Sequence, residues 1–206
     1  MSDQKSDKKS FESILRKSFS RVLDAAAGFF LGLGIKPNHI TLAGLVGNII
    51  AAILIGSGHL LWGGLTAALM GPLDALDGAM ARRLGTPTRF GAFLDSVIDR
   101  YDELLLLGGV LVYFTRESNP NGIYLTYAAA AGSVLVSYIR ARAEALGFDG
   151  KVGLLGRVER YIILVLGLLL NRTVCSVGII AILGNVTAIQ RLLYVRKRAA
   201  GSVRQD

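Results

Sequence analysis

The chain has 206 residues, room for a single domain. Hydrophobic residues make up 52% of it and charged residues only 18%, a balance unusual for a soluble domain. Lys and Arg outnumber Asp and Glu by 23 to 15, yet the stretches between the charges are too apolar for a nucleic-acid surface, so the excess points to anionic lipid or a phosphorylated substrate.

Residues 1–10 are polar and lysine-bearing, without the apolar core and small-residue site of a cleavable signal peptide. From there Phe11, Ile14, Leu15, Phe19 and Val22 recur at helical spacing among Lys9, Arg16, Lys17 and Arg21. That pattern suits an amphipathic helix lying in the membrane interface. The apolar run 25–35 holds three glycines and is too short to span. It is read as interfacial or re-entrant. Pro37, Asn38 and Thr41 then open a helix, with Asn38 as its cap.

A span needs about 20 mostly apolar helical residues. Six segments come close: 39–56, 60–82, 92–115, 122–143, 154–170 and 173–195. The expected fold is therefore an all-α integral membrane protein with six transmembrane helices and an N-terminal interfacial helix. Residues 1–35 form the N-terminal arm, 36–198 the six-span domain and 199–206 a tail. Of the 23 Lys and Arg, only Arg116 and Arg172 fall at outer joints when the N-terminus is cytoplasmic. Positive charge thus places both termini and the acidic residues described next at the cytoplasmic face.

The second and third spans carry carboxylates that a lipid-facing helix could not hold. Asp74 and Asp77 are three residues apart, Asp95 and Asp99 four, so each pair lies on one helical face. Each costs ~2.5–3.5 kcal/mol at mid-span on insertion scales. Four converging carboxylates repel unless protonated or bound to cations. All-oxygen ligation suits Mg²⁺ or Mn²⁺, and two such ions would match four Asp. Arg82, Arg83 and Arg100 offer the plainer alternative of an intramembrane ion-pair network. Asp102 and Glu103 fall nearby; a buried pair with an arginine of another span is expected for Asp102, and Glu103, which points elsewhere, is a second candidate for such a pair.

Written out, the stretch is Asp74-x-x-Asp77-Gly78-x-x-Ala81-Arg82, eight residues, Gly91-x-x-x-Asp95-x-x-x-Asp99. It resembles the signature of the CDP-alcohol phosphotransferase family at all eight fixed positions. The resemblance implies a six-span homodimer in the cell inner membrane that moves a lipid phosphate from CDP-diacylglycerol to an alcohol. It implies Asp74, Asp77, Asp95 and Asp99 as ligands of two Mg²⁺ or Mn²⁺ ions, with Asp99 also the general base. Gly78, Ala81, Arg82 and Thr88, with Asn38 and Thr41 upstream, are the implied contacts to the nucleotide and CDP-lipid.

Arginines crowd the same membrane face: Arg140 and Arg142 end the fourth span, Arg157 and Arg160 begin the fifth, Arg191 lies late in the sixth. Guanidinium forks hold phosphate well, which favours an acceptor that is itself phosphorylated. Residues 74–82, 88–92, 140–144 and 190–191 resemble the phosphatidylinositol phosphate synthases and their archaeal ether-lipid counterparts, whose acceptor is inositol 1-phosphate. By that resemblance Arg140, Arg142, Arg160 and Arg191 contact the acceptor phosphate. Val158 departs from the Pro common in that group. Glycerol 3-phosphate, the acceptor of phosphatidylglycerophosphate synthases, is the rival; serine- or choline-type acceptors rank third. A cation or proton transporter fits less well, since no later helix pair repeats the aspartates.

Weaker signals add little. Cys175 is the only cysteine, which excludes an intramolecular disulfide. His39 and His59 are far apart, and Lys151 is read as a solvated loop residue or a phosphate contact.

Overall fold

Among the described residues seven helices follow one another: α1 (Phe11–Gly32), α2 (Pro37–Gly56), α3 (Leu60–Arg83), α4 (Arg89–Arg116), α5 (Pro120–Ala145), α6 (Arg157–Leu169) and α7 (Thr173–Ser202). This computed structural model describes residues 11–85, 88–150 and 152–202, with side chains between 22 and 200. The polar residues 1–10, Lys151 and the last four residues of the tail lie outside the described residues. No strand occurs among those described.

Local chemistry sets the helix ends. Pro37 occupies the first turn of α2, where its missing N–H costs nothing. The cap is Lys36, in extended backbone, so Asn38 sits inside the first turn and not before it. At α4 the cap is Thr88, whose Oγ1 accepts the Gly91 N–H at 2.9 Å. Asn119 caps α5 likewise, accepting from Gly122 N at 3.0 Å ahead of Pro120.

Two segments differ from the sequence expectation. The interfacial stretch and the apolar run as far as Gly32 form one continuous helix, α1, because a glycine at 28 does not break a helix whose other residues favour it; residues 33–35 are outside it. The apolar face expected at Phe11, Ile14, Leu15 and Phe19 lies outside the described side chains. Further along, α6 starts at Arg157, not at residue 154, and has 13 residues. At 1.5 Å per residue it is about 20 Å long, short of a ~30 Å hydrocarbon core.

The non-helical approach to α6 is exposed at Gly153 and Leu154 and buried at Leu155, and buried side chains bond three of its backbone groups. Arg191 Nε donates to Val152 O at 2.8 Å, Leu155 N to Thr187 Oγ1 at 3.1 Å, and Arg160 Nη1 to Leu155 O at 3.4 Å.

Among the described residues three helices are long and apolar enough to cross a membrane: Pro37–Gly56, Pro120–Ala145 and Thr173–Ala200. The 24-residue α3 and 28-residue α4 have the length, but their charged residues lower the hydropathy. Large apolar side chains such as Val46, Ile53, Leu69, Ile182 and Ile189 face outward, the pattern of a chain solvated by lipid.

The core gathers Ile55 of α2, Leu106 and Val110 of α4, Leu168 of α6, and Val177 and Ile180 of α7. Helices α2 and α4 close tightly because Gly109 lacks a side chain; a Cβ there would lie 2.5 Å from the Ala52 carbonyl oxygen. A second cluster joins Ala27 of α1 to Leu76, Ala79 and Met80 of α3. Arg83 Nη1 pins the same contact by donating to Asp24 O at 2.7 Å.

Candidate active site

Packing of α2 against both α3 and α4 sets the two Asp-bearing helices side by side, and α6 closes on α3. Asp74, Asp95 and Asp99 each bring one oxygen within 4.8 Å of the others. That group can hold a divalent ion, and its all-carboxylate donor set suits a hard cation. Asp77 belongs to the neighbouring turn. It is 5% exposed and accepts a hydrogen bond from Thr41 Oγ1 at 2.5 Å, which ties α3 to the start of α2.

The aspartates line a cavity of about 640 Å³, with Gly78, Arg82, Asn48, Tyr161 and the apolar Leu23, Val165 and Leu166 on its walls. Charged and apolar side chains share its wall, a lining that suits a charged headgroup carrying acyl chains. Arg82 Nη1 lies beside Gly78, 3.3 Å from where a Cβ would stand. Asn38 and Thr88 converge on Gly91 at the N-terminus of α4, outside the cavity wall. Ala81 and Thr41 are likewise off that wall.

Arg157, which sequence reasoning left without a role, stands inside the acidic group. Its Nη1 is 2.8 Å from Asp74 Oδ2 and 2.6 Å from Asp99 Oδ1. Arg100 Nη1 approaches Asp99 Oδ2 at 3.7 Å. The helical spacing of Arg157, Arg160 and Tyr161, three and four residues apart, was the available signal that one face of α6 meets the site.

The four arginines expected at the acceptor are not pooled in this cavity. Arg160 is 1% exposed and forks onto Glu103 through Nε at 2.6 Å and Nη2 at 2.8 Å. Arg191, 6% exposed, donates to Val152 O and to Val136 O, the latter at 2.7 Å. Arg140 pairs with Glu144 at 2.9 Å on the surface, and Arg142 is exposed. The arginine partner expected for Asp102 belongs to Glu103 instead. Asp102 meets Asn48, and its Oδ1 has no hydrogen-bond partner. Glu103, one residue on, points toward α6, which carries the cation.

Residues 35–190 match the model of the CDP-alcohol phosphatidyltransferases. The chain belongs to that family. It is thus a transferase, and with its apolar helices a membrane protein. It is 35% identical over 194 residues to the archaetidylinositol phosphate synthase of Methanothermobacter thermautotrophicus, covering 91% of this chain and 93% of that one. The phosphatidylinositol phosphate synthase of Mycobacteroides abscessus is 33% identical over 190 residues, covering 88% and 86%. Among solved structures, the phosphatidylinositol phosphate synthase of Mycobacterium tuberculosis with CDP-DAG bound superposes with a TM-score of 0.78. That pair is 31% identical, with 85% of this chain and 94% of the other aligned. The same enzyme in complex with manganese and citrate gives a TM-score of 0.79, with 84% and 88% covered. The family signature lies on the two helices that line the cavity.

Proposed function

We propose that this transferase moves the phosphatidyl group of CDP-diacylglycerol to inositol 1-phosphate, releasing CMP and forming phosphatidylinositol phosphate. One observation carries the reading: a triad of carboxylates from α3 and α4 that lines a cavity together with apolar side chains. The similarity to inositol-phosphate-using relatives supports the acceptor.

Asp74, Asp77, Asp95 and Asp99 would hold two Mg²⁺ or Mn²⁺ ions, which when bound offset charge on the pyrophosphate. Asp99 takes the proton of the acceptor hydroxyl as that oxygen bonds to the β-phosphorus and the bond to CMP breaks. Its place between the other carboxylates and Arg157 favours this role. Gly78 leaves room for the nucleotide beside the helix backbone, and Arg82 faces its phosphates. Ala81, Asn38, Thr41 and Thr88 complete the donor side of this proposal, Thr41 by orienting Asp77. On the acceptor side, Arg142 is exposed, Arg140 is half-buried and paired with Glu144, and Arg157 already lies on the cavity wall. Arg160 and Arg191 act there by holding residues 152–155 in place.

Six crossings by α2–α7, with α1 at the interface, put both termini and the site on the cytoplasmic side of the inner membrane. The charge asymmetry favours this, and α6 completes its crossing with the 152–156 segment, whose backbone Arg160, Thr187 and Arg191 bond. A homodimer belongs to the same proposal.

The test supplies purified protein with CDP-diacylglycerol, Mn²⁺ and one acceptor at a time. CMP release with inositol 1-phosphate and not with glycerol 3-phosphate is expected; the opposite pattern overturns the acceptor.

A further inference from the structure

Helix α3 contains Pro72, two residues before Asp74. A proline inside a helix removes an N–H and crowds the carbonyl four residues earlier, which weakens the helix just before Asp74. One turn before, Tyr161 of α6 donates its hydroxyl hydrogen to Ala67 O. A hydroxyl from α6 thus anchors α3 at the Ala67 carbonyl, seven residues before Asp74.

The fit depends on Gly71. A Cβ at that position would lie 2.9 Å from Tyr161 Cε1, closer than side chains tolerate. One turn earlier on α6, Arg157 grips Asp74 itself. Two contacts from one face of α6 therefore bracket the stretch from Ala67 to Asp74, and both residues line the cavity.

We infer that Tyr161 is a positioning residue: its hydroxyl, bonded to the Ala67 carbonyl, holds the Pro72 stretch of α3 against α6 and so keeps Asp74 facing Asp95 and Asp99. The inference rests on the proposal that these aspartates bind divalent ions. The phenol touches no reacting atom. It acts through the direction of the helix that carries the ligands, as the partners behind a ligand usually do.

The experiment measures Mn²⁺ affinity of the full chain in detergent by titration calorimetry, beside steady-state CMP release. Tyr161→Phe keeps the ring and loses the hydroxyl. It is expected to bind Mn²⁺ about 10-fold more weakly, the lower end for partners behind a ligand. It should leave the KM for inositol 1-phosphate unchanged at saturating Mn²⁺. Gly71→Ala pushes the ring aside and should weaken Mn²⁺ binding by a similar factor, although alanine favours helix more than glycine does. The double variant should lose no more than the weaker single, since both break one contact. Asp74→Asn is the control. Wild-type Mn²⁺ affinity in Tyr161→Phe or Gly71→Ala, with binding lost in Asp74→Asn, overturns the role of Tyr161 alone. Losses that multiply in the double variant overturn it too. Undiminished binding in Asp74→Asn overturns the metal-site reading, and this inference with it.

Discussion

Arg157 holds Asp74 through both terminal nitrogens, Nη1 to Oδ2 at 2.8 Å and Nη2 to Oδ1 at 3.4 Å. One guanidinium from α6 therefore shares the carboxylates that α3 and α4 bring together, and it links the three helices. Removing it leaves like charges facing one another.

Arg157→Ala should lower the unfolding temperature in EDTA by roughly 2–8 °C, taking about 1–2 kcal/mol for a partly exposed pair. Added Mn²⁺ should recover more of that loss than it adds to the wild type. Differential scanning fluorimetry in detergent checks this, and an unchanged unfolding temperature in EDTA contradicts it.

Asp99→Asn keeps the shape of the side chain and loses its proton-accepting carboxylate. CMP release should fall at least about 100-fold, the low end for losing a general base, while CDP-diacylglycerol still binds. Wild-type turnover would remove Asp99 from its proposed role.

The Arg160–Glu103 pair is buried, with both of its hydrogen bonds inside the helix bundle. Arg160→Met alone strands a carboxylate and should destabilise by about 3–5 kcal/mol. Adding Glu103→Leu should restore most of the loss. Unfolding of the single and double variants in detergent measures the difference, and equal loss in both contradicts the account.

Much of this could be read from local spacing. The three- and four-residue intervals among the aspartates define helical faces without any tertiary information, as do the apolar lengths of α2, α5 and α7. What escaped the sequence is non-local or turns on one residue of register. The Arg157–Asp74 contact spans 83 positions, and nothing near either residue announces it. Asp102 and Glu103 are adjacent, about 100° apart around the helix, so only the place of α6 decides which receives the arginine. The late start of α6 was hidden because Leu154 and Leu155 are apolar whether helical or not. The cap of α2 went to Lys36 because Pro37 fixes the first turn, leaving Asn38 one residue too late.

Arg191→Ala frees the carbonyls of Val136 and Val152. The apparent KM for inositol 1-phosphate should rise about 10-fold or more, from charged hydrogen bonds of ~1.5–3 kcal/mol. Affinity for CDP-diacylglycerol should change little. Equal effects on both substrates would argue that the buried arginine serves the fold as a whole.

The most direct measurement counts bound ions. Calorimetric titration of the purified chain with Mn²⁺ should give two sites per chain, and replacing Asp74, Asp95 and Asp99 together with Asn should abolish both along with CMP release. A triple variant that still binds two ions, or a wild type that turns over undiminished in excess EDTA, would contradict the account.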